Sequence, residues 1–275
     1  MSEDQHPRRK RGRPRSEAPE RQSGTVQALD RGLRLLRLLA EEHEATLTEI
    51  AVDLDMAPSS AYRLLITLQQ RGMVTFQEDS QTWAIGVESF RIGSAFLRRT
   101  NTVEAARPVM RALVEATGET SNLGIEDRGE VVFVSQVETH QPIRAFFRPG
   151  TRGHMHASGI GKALLAERST ASLRAIAAER GLSRFTDTTL TTLAALEADL
   201  QHTRQRGWAL DNEESTTGMR CLAAAIFNEY GEAVAGISIS GLAARLPDAA
   251  LPDIGERVRS AAREVTEAIG GRPPR

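Results

Sequence analysis

Ala57-Pro-Ser-Ser-Ala-Tyr-Arg-Leu-Leu-Ile-Thr-Leu-Gln-Gln-Arg-Gly72 decides the fold, through its own two faces and through what flanks it. Ala61, Leu64, Leu65 and Leu68 fall at i, i+3, i+4 and i+7, which predicts a helix from Ser59 to Arg71 with that stripe packed inward. Pro58 suits the first turn, where its missing N–H costs nothing, and Gly72 suits the C-terminal cap. Upstream, Thr46-Leu-Thr-Glu49 reads as a capping box that opens a short helix with Ile50, Ala51 and Leu54 inward. Val26, Leu29, Leu33, Leu36 and Leu39–Ala40 mark an earlier helix ending near Glu42. Downstream, Met73-Val-Thr-Phe76 and Thr82-Trp-Ala-Ile85 alternate around the polar turn 77–81, which predicts a β-hairpin. Three helices and a hairpin in this order make a winged helix-turn-helix, whose third helix enters the major groove while the hairpin sits over the backbone. Ser59, Tyr62 and Arg63 fall on the outer face of that helix, with Ser60 near its start. Hydroxyls and a guanidinium there suit phosphates and base edges of double-stranded DNA. A small helical domain with a merely solvated polar face shows the same stripe, and the hairpin in the right place favours DNA.

The chain of 275 residues has a net charge of −1, so overall charge does not point to a nucleic-acid partner. The basic density is local. Arg8, Arg9, Lys10, Arg11, Arg13 and Arg15 crowd the N-terminal tail with no acid among them. Residues 1–23 hold almost nothing large and apolar and read as disordered. Arg9–Arg15 looks like an AT-hook, in which Gly12 allows close approach, Pro14 keeps the chain extended, and Arg11 and Arg13 enter the narrow minor groove. A basic tail acting only through counterion release is the alternative. The tail lacks the apolar run of a secretory signal, and no stretch approaches the length of a membrane span. A single cysteine, Cys221, suits a reducing compartment, so a cytoplasmic protein with no membrane partner is expected.

Beyond the hairpin, residues 87–100 return to helical spacing and read as a linker helix or a helix that joins protomers. Residues 101–271 mix both periods. Helices are predicted over Val103–Thr117, Gly159–Ala166, Thr170–Arg180, Leu193–Arg206 and from Asp248 to Ile269. Strands are predicted near Ser121–Glu126, Val131–Val137, Ile143–Phe147, Ala209–Asp211, Arg220–Phe227 and Ala233–Ser240. The chain is therefore expected to be α+β, with residues 24–86 as one domain and 101–271 as another.

Several motifs occur together and in order: Val26-Gln-Ala-Leu-Asp-Arg-Gly-Leu, Leu47-Thr-Glu-Ile-Ala and Ala57-Pro-Ser-Ser-Ala-Tyr-Arg-Leu-Leu. Gly153-His-Met-His-Ala-Ser-Gly-Ile-Gly-Lys-Ala-Leu-Leu, Asp211-Asn-Glu-Glu, Gly218-Met-Arg-Cys-Leu-Ala-Ala and Gly236-Ile-Ser-Ile-Ser follow. In these the chain resembles the IclR family of bacterial regulators, departing from it at Tyr62, where the family usually has His. The resemblance implies a GAF-like α/β effector-binding domain and a homodimer or dimer of dimers. It also implies a small effector held by Gly159, Ile160, Asp211, Cys221, Ser238 and Ser240, with glyoxylate or a similar 2-oxo acid as the leading class. The chemistry agrees: free N–H groups where a helix opens at Gly159 favour a carboxylate, and Ser238 and Ser240 share one face of a strand.

Blander readings stand beside these. Ser238 and Ser240 also suit the solvent face of an edge strand, Cys221 a buried small side chain, and Gly159 and Gly161 a tight turn. His154-Met-His156 lacks a third metal ligand nearby, and no cofactor motif is present. The rival from another class is an acyl-transfer enzyme with Cys221 as nucleophile, His156 as base and Asp211 as orienter. A ligand-free architectural DNA-binding protein is the remaining alternative.

Overall fold

In a computed structural model, residues 25–99 and 102–274 are described, and they fall into two compact units divided between Ser94 and Ala95. Arg11, Arg13 and the rest of the AT-hook-like stretch lie outside the described residues. No helix among the described residues is long and apolar enough to cross a membrane.

The first unit runs α1 (Gln27–Glu42), β1 (Glu44–Thr46), α2 (Leu47–Asp53), α3 (Pro58–Gln70), β2 (Val74–Gln77), β3 (Thr82–Ile85) and α4 (Val87–Arg99), with α4 continuing past the division. The capping box forms: the Glu49 carboxylate accepts from the Thr46 backbone N–H at 2.7 Å, and the Glu49 N–H donates to Thr46 Oγ1 at 3.3 Å. Pro58 opens α3 as expected. Gly72 ends it with φ +67°, a left-handed conformation that a side chain would strain, and its N–H donates to the Gln69 carbonyl. The strands pair antiparallel in the order β1-β3-β2, so the hairpin is a wing with a third strand on its outer edge. β1 has no signature in the sequence, since Glu44-Ala-Thr46 is too short to show alternation.

Leu35, Leu39, Ile50, Ala61, Leu65, Val74 and Trp83 form the core of this unit. On α1 the apolar residues split between two faces. Leu35 and Leu39 are buried, whereas Val26 (just before α1), Leu29 and Leu33 are each more than half exposed. Val87 and Phe90 on α4 are also exposed.

The second unit contains α5 (Thr102–Thr117), β4 (Thr120–Asp127), β5 (Glu130–Val137), β6 (Arg152–His154), α6 (Gly159–Ala166), α7 (Thr170–Arg180) and α8 (Leu193–Arg206). It closes with β7 (Ala209–Asn212), β8 (Met219–Phe227), β9 (Ala233–Leu242) and α9 (Leu251–Ala268). The six strands pair antiparallel in the order β6-β5-β4-β9-β8-β7. Alternate residues serve opposite faces. Leu222, Ala224, Ile237 and Ile239 pack against Met110 of α5 and Val258 and Val265 of α9. Val131, Phe133, Ala209 and Ala223 pack against Ile160 and Leu164 of α6 and Leu196 and Leu200 of α8. The result is an α/β unit with the sheet between two helical layers, the arrangement the family resemblance implied.

One predicted strand is corrected. Ile143–Phe147 is not a strand, and the edge of the sheet is formed instead by Arg152–His154, which pairs with Glu130–Val132. The apolar residues of the earlier run serve a different purpose: Phe147 stacks on Phe133 with ring centroids 4.5 Å apart, and Ala145 is buried. The Gly150 N–H donates to the Phe133 carbonyl and the Phe133 N–H to the Thr151 carbonyl, so backbone pairing with β5 begins at the Pro149-Gly150 turn.

Leu65 has no exposed surface at the centre of the first core. Leu65→Ala is expected to destabilise the first unit by about 2–5 kcal/mol. Chemical denaturation followed by circular dichroism measures this, with an early transition predicted and the main transition of the larger unit unmoved.

Candidate DNA-reading surface and effector cleft

On α3 the side chains of Ser59, Tyr62 and Arg63 are exposed and that of Ser60 is half-buried, so all four reach one outer surface. Tyr62 is unusually open for its size, at 48%. Ala57 precedes α3 in extended conformation and gives no side-chain cap; Pro58 has no N–H and the Ser60 N–H donates to the Ala57 carbonyl, which leaves the Ser59 N–H available to a phosphate oxygen. The turn of the wing carries exposed Glu78 and Asp79. These repel phosphate, so the electrostatics of this unit favour α3 over the tip of the wing as a surface for DNA.

In the second unit a cleft of about 400 Å³ opens where α6 begins. Gly159, Asp211, Cys221 and Ser240 line it. Gly159 lies directly on β8: a Cβ there would come within 2.7 Å of Cys221 Sγ, so only glycine permits this approach. Ser158 caps the helix, its Oγ accepting from the Gly161 N–H. Ile160 and Ser238 are placed differently. The Ile160 side chain is fully buried against Gly124 and Gly236, so it offers the cleft only backbone. Ser238 lies beneath the floor with no exposed surface, and its hydroxyl faces the Cys221 thiol. Both serines are on β9, a central strand, which replaces the edge-strand reading.

A polar relay supports Ser240. Gln136 Nε2 donates to Asn122 Oδ1 at 2.8 Å, and Asn122 Nδ2 donates to Ser240 Oγ at 3.3 Å. Ser240 Oγ thus accepts from behind, and its hydroxyl also lies within hydrogen-bonding reach of the Cys221 thiol on the neighbouring strand. Cross-strand pairing of Asn122 with Ser238 and Gln136 sets this relay, and nothing local in the sequence announces it. The upper wall is aromatic, with Phe133, Phe146, Phe147 and Phe185, and carries Arg144, Arg152 and Arg220.

Charge beneath the cleft is unusual. Lys162 has no exposed surface, and its ammonium lies 2.6 Å from Glu214 Oε1 and 3.1 Å from Asp199 Oδ2. Asp211 accepts the Glu214 N–H on Oδ1 at 2.8 Å. Burial, reinforced by the negative charge of Glu214, pushes the Asp211 carboxyl up to about 7. Burial likewise pushes the Cys221 thiol up to about 11.

That thiol is not a nucleophile near neutral pH, since attack requires thiolate. His156 is buried with Nε2 3.0 Å from the Ser183 carbonyl, and burial holds its pKa below the usual value. Among the described residues no hydrogen bond joins His156 to Cys221 or Asp211. The acyl-transfer reading is therefore withdrawn. His154 and His156 sit with ring centroids 5.9 Å apart around Phe185, an aromatic cluster.

Fold and surfaces together define a DNA-binding transcriptional regulator rather than an enzyme. The chain belongs to the IclR family: residues 28–78 match the IclR helix-turn-helix domain, and residues 94–267 match the C-terminal domain of bacterial transcriptional regulator IclR. It is 53% identical over 267 residues to the HTH-type transcriptional regulator BhcR of Paracoccus denitrificans, covering 96% of each chain. To the transcriptional repressor IclR of Escherichia coli it is 40% identical over 265 residues, covering 95% of this chain and 97% of the relative. The crystal structure of the Thermotoga maritima IclR superposes with a TM-score of 0.76 at 29% identity, covering 88% of this chain and 98% of that one. Regulators of this family bind DNA and small-molecule effectors.

The Asp211 shift has a consequence for stability. Its carboxyl holds a proton up to about pH 7 in the folded chain but, with the ordinary carboxyl value of 3.8, loses it sooner when unfolded. Between roughly pH 4 and 7 the folded state binds more protons, so this contribution to stability falls as pH rises through that window. Asp211→Asn, which keeps an acceptor for the Glu214 N–H, is expected to flatten that fall and raise the melting temperature at pH 8 relative to the unaltered chain. Thermal unfolding from pH 5 to pH 8 checks this.

Proposed function

We propose that this regulator binds its operator through Ser59, Ser60, Tyr62 and Arg63 and is controlled by a small 2-oxo acid, glyoxylate foremost, held in the cleft at Gly159. The carrying observation is the cleft floor: a helix opening at Gly159, the Ser240 hydroxyl held by Asn122 and a carboxyl at Asp211 that is easily protonated. Helix N–H groups and the hydroxyl receive the carboxylate, and protonated Asp211 donates to the 2-oxo or hydrated aldehyde oxygen. Ile160 contributes backbone and Ser238 supports the floor beside Cys221. The aromatic upper wall borders space that the smallest acid leaves to water. The likeness to the acetate operon repressor of Salmonella typhimurium, 38% identical over 265 residues, supports an operon of carbon metabolism as the target.

A single recognition helix gives weak discrimination, so two copies on a near-palindrome are expected. The exposed apolar residues Val26, Leu29 and Leu33, with Val87 and Phe90 on α4, favour a homodimer formed through residues 24–86 and the linker 87–100, and a dimer of dimers follows if residues 101–271 also pair. Arg11 and Arg13 extend the contact into the minor groove.

A gel shift on the gene's own upstream DNA tests the reading. Glyoxylate is expected to change the fraction bound, and Ser240→Ala to raise the glyoxylate needed about tenfold while leaving ligand-free DNA affinity intact. Retention that no 2-oxo acid alters at millimolar concentration contradicts it. Separately, Arg63→Ala is expected to weaken operator binding roughly 5- to 150-fold with melting unchanged, read by fluorescence anisotropy.

A further inference from the structure

A second cavity, of about 230 Å³, lies elsewhere in the second unit and shares no lining residue with the effector cleft. Its walls are apolar: Trp208, Ala163, Ala224, Ala225, Phe227 and Ala262. The polar groups facing it are short of partners. Thr203 is 4% exposed, yet its Oγ1 has no hydrogen-bond partner. Arg259 gives Nη2 to Glu256 at 2.7 Å, while its Nε is buried without an acceptor. Arg263, one turn further along α9, makes no hydrogen bond or ion pair among the described residues.

Buried donors are normally satisfied, and leaving two unpaired beside one cavity is costly unless something that accepts hydrogen bonds occupies it. Arg259 is already paired with Glu256, and burial raises the pKa of Glu167 on the rim, so the buried Nε of Arg259 and the exposed Arg263 are left to meet a single negative charge. The Trp208 ring, braced by the Arg206 guanidinium 4.0 Å from its centroid, supplies a rigid apolar wall. We propose that this cavity is a second ligand site, which takes a compact aromatic or branched-chain monocarboxylate with its carboxylate on Thr203, Arg259 and Arg263. The volume suits about ten heavy atoms and excludes a nucleotide.

The site lies on elements that also shape the effector cleft. Ala163 is one turn along α6 from Gly159, and Ala224 and Ala225 are three and four residues along β8 from Cys221.

The full chain titrated into 4-fluorobenzoate, with the fluorine NMR line followed, tests this. Saturable broadening is expected. Thr203→Val, which keeps the shape, and Arg259→Met, which keeps most of the buried stem, should each weaken binding about tenfold or more. Ser240→Ala, in the other cleft, should leave it unchanged. Absence of saturable binding to the unaltered chain overturns the proposal, as does binding that Ser240→Ala abolishes and Thr203→Val does not. Thr203→Val alone decides the matter if Arg259→Met does not fold, since Thr203 Oγ1 makes no hydrogen bond and its replacement by a methyl breaks none.

Discussion

Lys162 is the fixed point of the second unit. Its ammonium ion is wholly buried and lies between Glu214, which follows β7, and Asp199 on α8, while its own backbone is in α6. A buried charge left without its partner costs about 3–5 kcal/mol, so the three segments are tied in one arrangement. What this tie positions matters more than its net worth. It holds the opening of α6 on β8, where Gly159 touches Cys221, and it holds the Glu214 backbone where its N–H meets Asp211. The carboxylate of Glu214 is thereby placed close enough to raise Asp211 further than burial alone would. A group that changes charge near neutrality thus lies on the floor of a cleft suited to an anion.

The second constraint is the polar inlay in the sheet. Central strands of a sheet covered on both faces are normally apolar. Here β4, β5 and β9 instead carry Asn122, Gln136 and Ser240 in a hydrogen-bonded row, with Ser238 beside it against the Cys221 thiol. Such residues weaken the core, and their arrangement around the cleft gives that cost a purpose: a pre-positioned donor that needs no rearrangement to receive a ligand.

How much of this was legible in the sequence follows from how local each cause is. The capping box at Thr46 and Glu49, the proline opening of α3 and the left-handed stop at Gly72 each act within a few residues, and each was readable. The wing was readable from alternation, whereas β1 was not, since three residues carry no period. The run at Ile143–Phe147 was misread because apolar spacing does not reveal whether an edge is free. The edge of β5 is taken by Arg152–His154, and Phe147 stacks on Phe133 instead. Of the effector residues, Gly159, Asp211, Cys221 and Ser240 reach one cleft, but family resemblance, not spacing, brought them together. The partners of Lys162 were out of reach, since Glu214 is 52 residues away and only the fold makes them neighbours. The four-phenylalanine wall and the relay behind Ser240 were hidden for the same reason.

The central claim is that a small carboxylate binds over Asp211 and keeps a proton on it. Calorimetric titration of glyoxylate at pH 7.5, in buffers of differing ionisation enthalpy, tests it most directly. The account predicts net uptake of a sizeable fraction of one proton per bound anion, lost in Asp211→Asn. Binding with no proton exchanged, or uptake undiminished in that variant, contradicts it.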